Sequence, residues 1–357
     1  MSLTQRLGKR GRFATASVLC IMLLAASTGC ESLRHYAQAI SGQVGILNKR
    51  RPIQSYLDDP LTPPKLKQKL SLILELREFA KSKLHLPADN HYLSFVELEQ
   101  PYVLWNVYAA PEFAFEPKTW CYPIAGCTAY RGYFSEKNAR LYAGKLKQEG
   151  LDVYVGGVAA YSTLGWFNDP VYSTFVYQSD ARLAALIFHE LAHQVVYVKD
   201  DSTFNESFAT AVEQEGLRRW LAAEENPAAY NDYKANFQRR RQFIQLIMQC
   251  RRRLETLYSQ DLPVPQKRDS KTLIFEKLKD EYELLKMQWG GYADYDSWFD
   301  HKINNAQLIT VSVYYDLVPA FLKLLQTYGN DLQLFYSQCQ DLAQKAKTER
   351  RVYLQQY

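Results

Sequence analysis

The chain has 357 residues, of which 43 are basic and 38 acidic, with a formal net charge of +5. Residues 1–29 contain four of the basic residues and no acidic one, so the rest is nearly neutral at 39 basic against 38 acidic. This balance does not favour a nucleic-acid partner. The arginine runs at 239–241 and 251–253 are interpreted as solvated faces of charged helices.

The first thirty residues predict a lipoprotein signal. Four Lys or Arg residues precede the apolar stretch Ala14–Ala26, which is too short for a comfortable membrane span. Small residues then precede Cys30, as at sites where bacterial lipoproteins are cleaved and lipidated, and acyl chains there would anchor the protein to a membrane. Ser27 stands where leucine is usual, so an ordinary secretory signal or an uncleaved anchor is the alternative. Glu31 favours the periplasmic face of the outer membrane, because aspartate at this position is associated with inner-membrane retention.

The hydrophobic pattern changes along the remaining chain. Residues 31–86 predict helices, with Leu66–Leu84 as a long amphipathic helix that Pro87 ends. Aromatic and β-branched runs between Tyr92 and Val158 predict strands, and the rest is helical again. We therefore expect an α+β, mainly helical fold with a small mixed or antiparallel sheet. Its expected parts are a signal at 1–29, helices plus sheet at 30–160, a helical core at 161–260, and a helical C-terminal region at 261–357 that completes a cleft.

Two cysteines inside the predicted sheet region are close in sequence. Cys121 and Cys127 bracket a turn-like loop of five residues that would bring them within bonding distance. A disulfide agrees with an exported protein, but buried free thiols are the alternative. A metal role is disfavoured, because no neighbouring Cys or His completes a four-ligand site.

The sequence HELAH, from His189 to His193, predicts a metal-binding helix. It lies in the apolar run Arg182–Val196, which lacks Gly and Pro. Residues four apart share a helix face, so both histidines reach one ion, while Glu190 lies near enough to take a proton from an activated water. The alternative, two buried core histidines without metal, carries a large desolvation cost.

A second helix after a short return predicts the third ligand. Phe204–Gly216 is interpreted as that helix, closed by a glycine C-cap. Glu206 lies near its start, where an antiparallel return brings its carboxylate toward the histidines. The alternative is a capping box formed with Thr203. Glu213 shares the same face and is a second candidate, either as a ligand or as a group that supports one.

Several segments carry a resemblance to a known family. HELAH followed by Asn205-Glu206 resembles the gluzincin branch of zinc peptidases, and the chain more closely resembles the bacterial predicted-aminopeptidase family of lipoproteins. The resemblance implies a zincin-like fold, one zinc ion on His189, His193 and Glu206, Glu190 as the base, and aminopeptidase activity. The segments that carry it are Gly42–Ile53, Trp120–Phe134, Gly156–Pro170, Ile187–Glu213 and Ile303–Leu308.

Peptidases of this kind commonly bind an extended substrate along an edge strand, and residues 153–163 occupy the corresponding place in the chain. A structural bulge or turn at the paired glycines is the alternative. The candidate substrate-binding residues are Gly156, Gly157, Ala159, Tyr161 and, from the segment before them, Arg131.

The oxyanion of the reaction needs a donor besides the metal, and Tyr314 and Tyr315 are the candidates. Helix packing is the alternative role for both. We expect a zinc-dependent peptidase that hydrolyses peptides in the cell envelope. That it is an aminopeptidase is implied by the family resemblance. The second function class is an envelope-assembly or binding lipoprotein that keeps the fold with little hydrolysis.

Overall fold

The computed structural model describes residues 35–122, 126–160, 168–225, 227–312 and 317–357. Contacts divide the chain into two compact units, one ending at Lys49 and the other covering Arg50–Tyr357. Within the first unit, residues 35–49 form helix α1. The second unit contains every other described element. The divisions expected after residues 160 and 260 therefore fall inside one unit and stay predictions.

Helix α2 (Ile53–Asp58) leads to the long helix α3 (Pro64–Leu84), which matches the amphipathic helix predicted from Leu66. Proline is favourable in a first helical turn, so α3 begins two residues earlier than predicted. The helix ends where predicted, at Leu84, but for a different reason than the expected effect of Pro87. His85 adopts a left-handed conformation (φ 55°) and its N–H caps the carbonyl of Ala80, so the helix stops before Pro87 is reached.

Within the described residues, eight short strands form three small sheets. The first has the order β1-β2-β8, in which β2 pairs antiparallel with β1 and parallel with β8. The second has the order β6-β3-β7 and the third is the hairpin β4-β5, and both are antiparallel. The bounds are β1 Arg51–Pro52, β2 Ser94–Val96, β3 Leu104–Pro111, β4 Trp120–Tyr122, β5 Gly126–Thr128, β6 Arg131–Tyr133, β7 Leu151–Val158 and β8 Val171–Tyr172.

Helices make up most of the remaining chain. Helix α4 (Glu136–Gln148) covers the second sheet, where Ala139, Ala143 and Leu146 pack against Trp105 and Val107 of β3. Mainly helical structure around small sheets confirms the α+β class. The bounds of the others are α5 Asp180–Ala192, α6 Ser202–Ala223, α7 Pro227–Tyr258, α8 Val264–Gln288, α9 Asp296–Phe299, α10 Asn305–Ser312, α11 Val318–Thr327, α12 Leu332–Ala343 and α13 Lys347–Leu354.

The arginine runs lie on the long helix α7, as expected for charged helix faces. Arg253 makes a two-point ion pair with Glu281 of α8, at 2.7 and 2.8 Å, and Arg251 pairs with Glu255 one turn away at 2.8 Å. The neighbouring helices α7 and α8 are long but rich in charge. No helix in the described parts of the chain combines the length and the hydrophobicity that crossing a membrane requires.

The segment Ile303–Leu308, which includes the start of α10, packs against the second sheet. Asn305 is fully buried, and its side-chain amide lies within 3.1 Å of three carbonyl groups at the end of β3 and just after it. Its side-chain oxygen accepts a hydrogen bond from the Tyr258 hydroxyl. Asn304 donates to a carbonyl of β7 and caps α10. The two asparagines therefore hold the sheet in place, and Asn304 also caps the helix.

Candidate metal centre

Helix α5 presents both histidines on one side. Ser179 caps its first turn, and the buried face packs Leu183, Ile187 and Leu191 into the core. The opposite side carries His189 and, directly after the last helical residue, His193. Because the two are one turn apart, their rings lie together with centroids 4.9 Å apart at an angle of 83°.

Helix α6 begins at Ser202, with Asp201 as its N-cap, whose side chain accepts a hydrogen bond from the Phe204 N–H. The capping-box alternative for Glu206 is therefore wrong, because the helix begins one residue before Thr203. Asn205 is buried and clamps the return loop, since its side chain bonds both the N–H and the carbonyl of Val198 at 2.8 Å. Glu206, the next residue of α6, is thereby held beside α5.

Helix α6 also extends further than predicted, to Ala223, and Gly216 lies inside it instead of closing it. A Cβ atom at Gly216 would lie 2.8 Å from Leu84 Cδ1 and 2.9 Å from Phe188 Cδ2. Only a residue without a side chain fits this contact between α6, α3 and α5. The C-cap prediction was wrong because a glycine required by packing and a glycine required by a helix end look alike in one sequence.

The three predicted ligands meet at the centre of this arrangement. Glu206 Oε2 lies 3.3 Å from His189 Nε2, and Glu206 Oε1 lies 3.8 Å from His193 Nε2. One ligand atom from each residue falls within 4.8 Å of the others. Two ligands bound to a tetrahedral zinc ion at about 2.1 Å lie about 3.4 Å apart, so the cluster has nearly the required size. Two imidazole nitrogens and one carboxylate also form a donor set that zinc prefers.

Glu213 supports the cluster from behind. Its Oε2 lies 3.1 Å from His189 Nδ1, on the side of the ring away from Glu206. When Nδ1–H donates to this carboxylate, the Nε2 lone pair faces Glu206 and is available to a cation. Arg240 lies 3.6 Å from the other oxygen of Glu213. This position supports the second role considered for Glu213, that of a group orienting a ligand.

Electrostatics also favour a cation between these groups. Burial lowers the pKa of His189, but hydrogen bonds and charges from Glu206 and Glu213 outweigh it and raise the pKa to about 10. Burial opposes ionisation of Glu206, yet the two histidines keep its pKa below the ordinary value. Burial lowers the pKa of His193 to about 4. A cluster that draws a proton onto His189 and leaves His193 neutral is suited to binding a positive ion.

Glu190 lies beside this cluster, and its pKa is raised to about 7, mainly by burial and also by the charges of Glu206, Asp169 and Glu213, against the lowering effect of His189. A carboxyl group that titrates near neutral pH is matched to proton transfer. Asp169 is itself buried, and its backbone N–H donates to His91 Nδ1. Sequence reasoning did not single out Asp169.

A disulfide-closed hairpin lies against the return loop. The sulfur atoms of Cys121 and Cys127, which face each other across β4 and β5, are bonded. The Cys127 N–H donates to the Asp200 carboxylate at 2.7 Å. Gly126 has a φ of +76°, and a Cβ there would lie 2.4 Å from that same carboxylate. The hairpin is therefore attached to the turn between α5 and α6, the two helices that carry the predicted ligands.

Two tyrosines near Glu206 were missed by sequence reasoning. Burial raises the pKa of both Tyr130, which follows the hairpin, and Tyr197, which precedes α6, and the charge of Glu206 contributes to both shifts. The ring of Tyr130 also packs 5.6 Å from that of Tyr108. With 26 tyrosines in the chain, no pattern in the sequence distinguishes this pair.

The predicted substrate-binding residues lie in or near the second sheet. Arg131 is buried in β6 with its guanidinium 4.7 Å from the Tyr142 ring centre. Gly156 and Gly157 lie in the unbroken ladder between β7 and β3, so neither forms a bulge or turn. Ala159 follows the strand, and its carbonyl accepts a hydrogen bond from a threonine hydroxyl. In the described part of this sheet β7 is an edge strand, and its substrate role stays a prediction. Four predicted site residues lie outside the described residues, namely Tyr161, Tyr314, Tyr315 and Cys30.

Comparison with known proteins gives one family. A family model described as "Putative aminopeptidase" matches residues 34–354, nearly the whole chain after the predicted signal. No curated protein and no solved structure matches significantly. Since the model covers far more than half of the sequence, the chain belongs to the putative aminopeptidase family.

Proposed function

We propose that the protein is a zinc-dependent peptidase, and specifically an aminopeptidase, that hydrolyses peptides in the bacterial cell envelope. The observation that carries the proposal is the convergence of His189, His193 and Glu206 within 4.8 Å, with Glu190 beside them. Membership of a family described as "Putative aminopeptidase" supports a peptide as the substrate. The lipid anchor at Cys30 is proposed from the sequence alone.

His189, His193 and Glu206 would hold one zinc ion, with Glu213 fixing the His189 ring. When bound, zinc supplies Lewis-acid activation of a water molecule and of the scissile carbonyl group. Glu190 accepts the proton of the attacking water, because its pKa near 7 lets it act as a base at neutral pH. The protonated carboxyl then donates to the nitrogen of the leaving amine.

The decisive experiment compares the mature protein with its Glu190→Gln variant. Zinc content is measured first, and both proteins are then assayed on matched peptides with free and with acetylated N-termini. We expect one zinc per chain in both proteins and hydrolysis by the unmodified protein alone. Cleavage restricted to the free N-terminus supports an aminopeptidase, whereas equal cleavage of both peptides indicates an endopeptidase.

The same experiment tests the other function class. Full zinc occupancy with no hydrolysis by either protein would reject the peptidase and favour an envelope-assembly or binding role. Absence of zinc from freshly purified protein, together with no uptake at micromolar zinc, would reject the metal site. Glu206→Gln serves as the metal-site variant, since it removes a ligand charge and keeps the shape of the side chain.

A further inference from the structure

We propose that Asn106, on the face of the second sheet opposite α4, is a substrate-binding residue that accepts a hydrogen bond from the main chain of a bound peptide. This inference rests on the proposed function, because it assigns how that same site holds its substrate. A hydrogen bond to the main chain reads no side chain, so the contact suits extended peptides of varied sequence.

The side chain of Asn106 is buried and lacks a partner. Only 7% of the residue is exposed, and its Oδ1 has no hydrogen-bond partner within the parts of the chain that the structure describes. Folded proteins pair nearly all buried polar atoms, because an unpaired one costs free energy. The partner of this oxygen is therefore expected from outside the fold, as a ligand group or an ordered water.

The backbone around Asn106 favours a ligand group. Trp105 and Val107 pack against α4, so alternation along β3 directs Asn106 to the other face of the sheet. Its cross-strand neighbours on that face are both glycines, Gly156 of β7 and Gly132 of β6. A Cβ atom at Gly132 would lie 3.3 Å from Asn106 Oδ1. Because neither neighbour has a side chain, the main chain of a peptide can approach the amide closely.

A row of three tyrosines lies beside Asn106 on the same face. Tyr108 of β3 pairs with Tyr154 of β7, and the register of β3 with β6 places Tyr130 on its other side. The ring centres are 6.3 Å apart in the first pair and 5.6 Å apart in the second. The Tyr154 ring leans toward Gly156, where a Cβ atom would lie 3.0 Å from it. The tyrosine row and the Asn106 row therefore form one continuous surface.

The Tyr130 end of this surface lies near the predicted ligands. The hairpin that ends two residues before Tyr130 bonds the return loop, through the 2.7 Å hydrogen bond from the Cys127 N–H to Asp200. Asp200 directly precedes the N-cap of α6, and Glu206 follows near the start of that helix. Burial raises the pKa of Tyr130, and the charge of Glu206 adds to the shift, as expected for neighbouring groups.

Asn106 lies at a suitable distance from this end. Asn106 and Tyr130 are diagonal neighbours across β3 and β6, and such residues lie about 7–8 Å apart. An extended peptide advances about 3.4 Å per residue, so this distance corresponds to about two residues. The main chain of a peptide held at the predicted ligands would therefore reach Asn106 within a few residues.

The test removes either partner of the proposed hydrogen bond. On the peptide, each main-chain amide of an alanine pentapeptide is replaced in turn by an ester, which lacks the N–H donor and keeps the chain length. On the protein, Asn106→Leu removes the acceptor and keeps a side chain of similar size. Asn138→Leu is the matched control, because it makes the same change at an exposed position of α4, on the other side of the sheet. Affinities are measured by calorimetry in Glu190→Gln protein with zinc present.

We expect one ester peptide to bind at least about fivefold more weakly than the amide peptide, because it loses a hydrogen bond to a buried acceptor. Asn106→Leu should weaken the amide peptide by a similar factor and abolish the difference between that ester and the amide, since both changes delete one interaction. Asn138→Leu should leave the difference unchanged. Equal affinities for the amide and every ester, a difference that persists in Asn106→Leu, or no binding of any peptide would overturn the proposal.

Urea unfolding separates a binding role from a structural one. Because the Asn106 oxygen has no partner in the fold, Asn106→Leu should unfold at the same or a higher urea concentration. A lower midpoint with unchanged peptide affinity would assign the amide to the fold through an ordered water and reject the binding role. Gly132→Ala keeps the amide but places a methyl group against it, so it should also weaken the amide peptide. If Asn106→Leu fails to fold, unchanged affinity in Gly132→Ala would overturn the proposal.

Hydrolysis by the protein that retains Glu190 separates the two proposals. Peptide binding that depends on Asn106, with no hydrolysis of the amide peptide, rejects the peptidase and keeps the binding residue. Hydrolysis with the same kcat/KM in Asn106→Leu and in the unmodified protein keeps the peptidase and rejects the binding residue.

Discussion

Replacing Glu213 by glutamine tests whether the second carboxylate near His189 supports a ligand or is one. Glutamine keeps an oxygen that accepts a hydrogen bond from His189 Nδ1–H, now 3.1 Å away, but it removes the negative charge. A charge-assisted hydrogen bond is about twice as strong as a neutral one. Loss of such an outer partner typically costs about 10–100-fold in metal affinity.

We expect Glu213→Gln to lower the zinc affinity about tenfold and Glu213→Ala to lower it about 100-fold. The effect of alanine is larger because it removes both the charge and the hydrogen-bond acceptor. Tenfold corresponds to about 1.4 kcal/mol of binding free energy. Arg240 should matter little, since it lies 3.6 Å from Glu213 and its side chain is 43% exposed. Zinc affinity is measured by competition with a chromogenic chelator at fixed pH.

Glu215→Gln is the matched control for Glu213→Gln. It lies two residues further along α6 and pairs with Arg218 and Arg219 at 2.7 Å, away from the histidines. Its zinc affinity should equal that of the unmodified protein. Loss of zinc as complete in Glu213→Gln as in Glu206→Gln would make Glu213 a ligand. No change in Glu213→Gln and Glu213→Ala would show that the hydrogen bond contributes nothing.

Three further predictions concern the framework around the site. Gly216→Ala should destabilise the fold by about 1–3 kcal/mol in urea unfolding, because its Cβ has no space; Gly144→Ala, in an exposed part of α4 with no atom within 4 Å, should instead stabilise by about 0.5–1 kcal/mol. Arg350→Met should cost about 3 kcal/mol in the same assay, since it leaves the buried carboxylate that caps α6 with two more distant cations; a loss below about 1 kcal/mol would contradict this. Replacing Cys121 and Cys127 by serine should lower stability by about 2 kcal/mol, as loop entropy predicts for a separation of 6 residues; equal melting temperatures in reduced and oxidised unmodified protein would refute it.

Local geometry made the centre of the site predictable from sequence. A spacing of four residues fixes two side chains on one helix face, and this alone placed His189 and His193 together. Glu206 was predictable because a short return between two helices brings the start of the second beside the end of the first. Its contact with His189 at 3.3 Å follows from that connection.

Residues brought in by long-range packing were not predictable. Asp200 meets Cys127, 73 positions away in sequence, and no local pattern announces that contact. The same holds for Tyr130, whose pKa senses the charge of Glu206. The prediction of where α6 ends was wrong for a related reason. Residue 216 is glycine because Leu84 and Phe188 leave no space for a Cβ atom there. Helix periodicity contains none of this information.

The return loop between α5 and α6 is held from three different parts of the chain. Asn205 of α6 bonds both backbone groups of Val198, and the N–H of Cys127 in the hairpin bonds Asp200. Asp201, which is 1% exposed, receives two hydrogen bonds from Arg350 of α13. None of these contacts uses His189, His193 or Glu206, the proposed metal ligands. The loop, and with it the start of α6, is therefore positioned by the fold itself, unlike sites in small domains that fold only when the ion binds. A preorganised cluster of this kind suits the proposed proton transfer by Glu190, for which the carboxyl group would need to lie beside the proposed ion before substrate arrives.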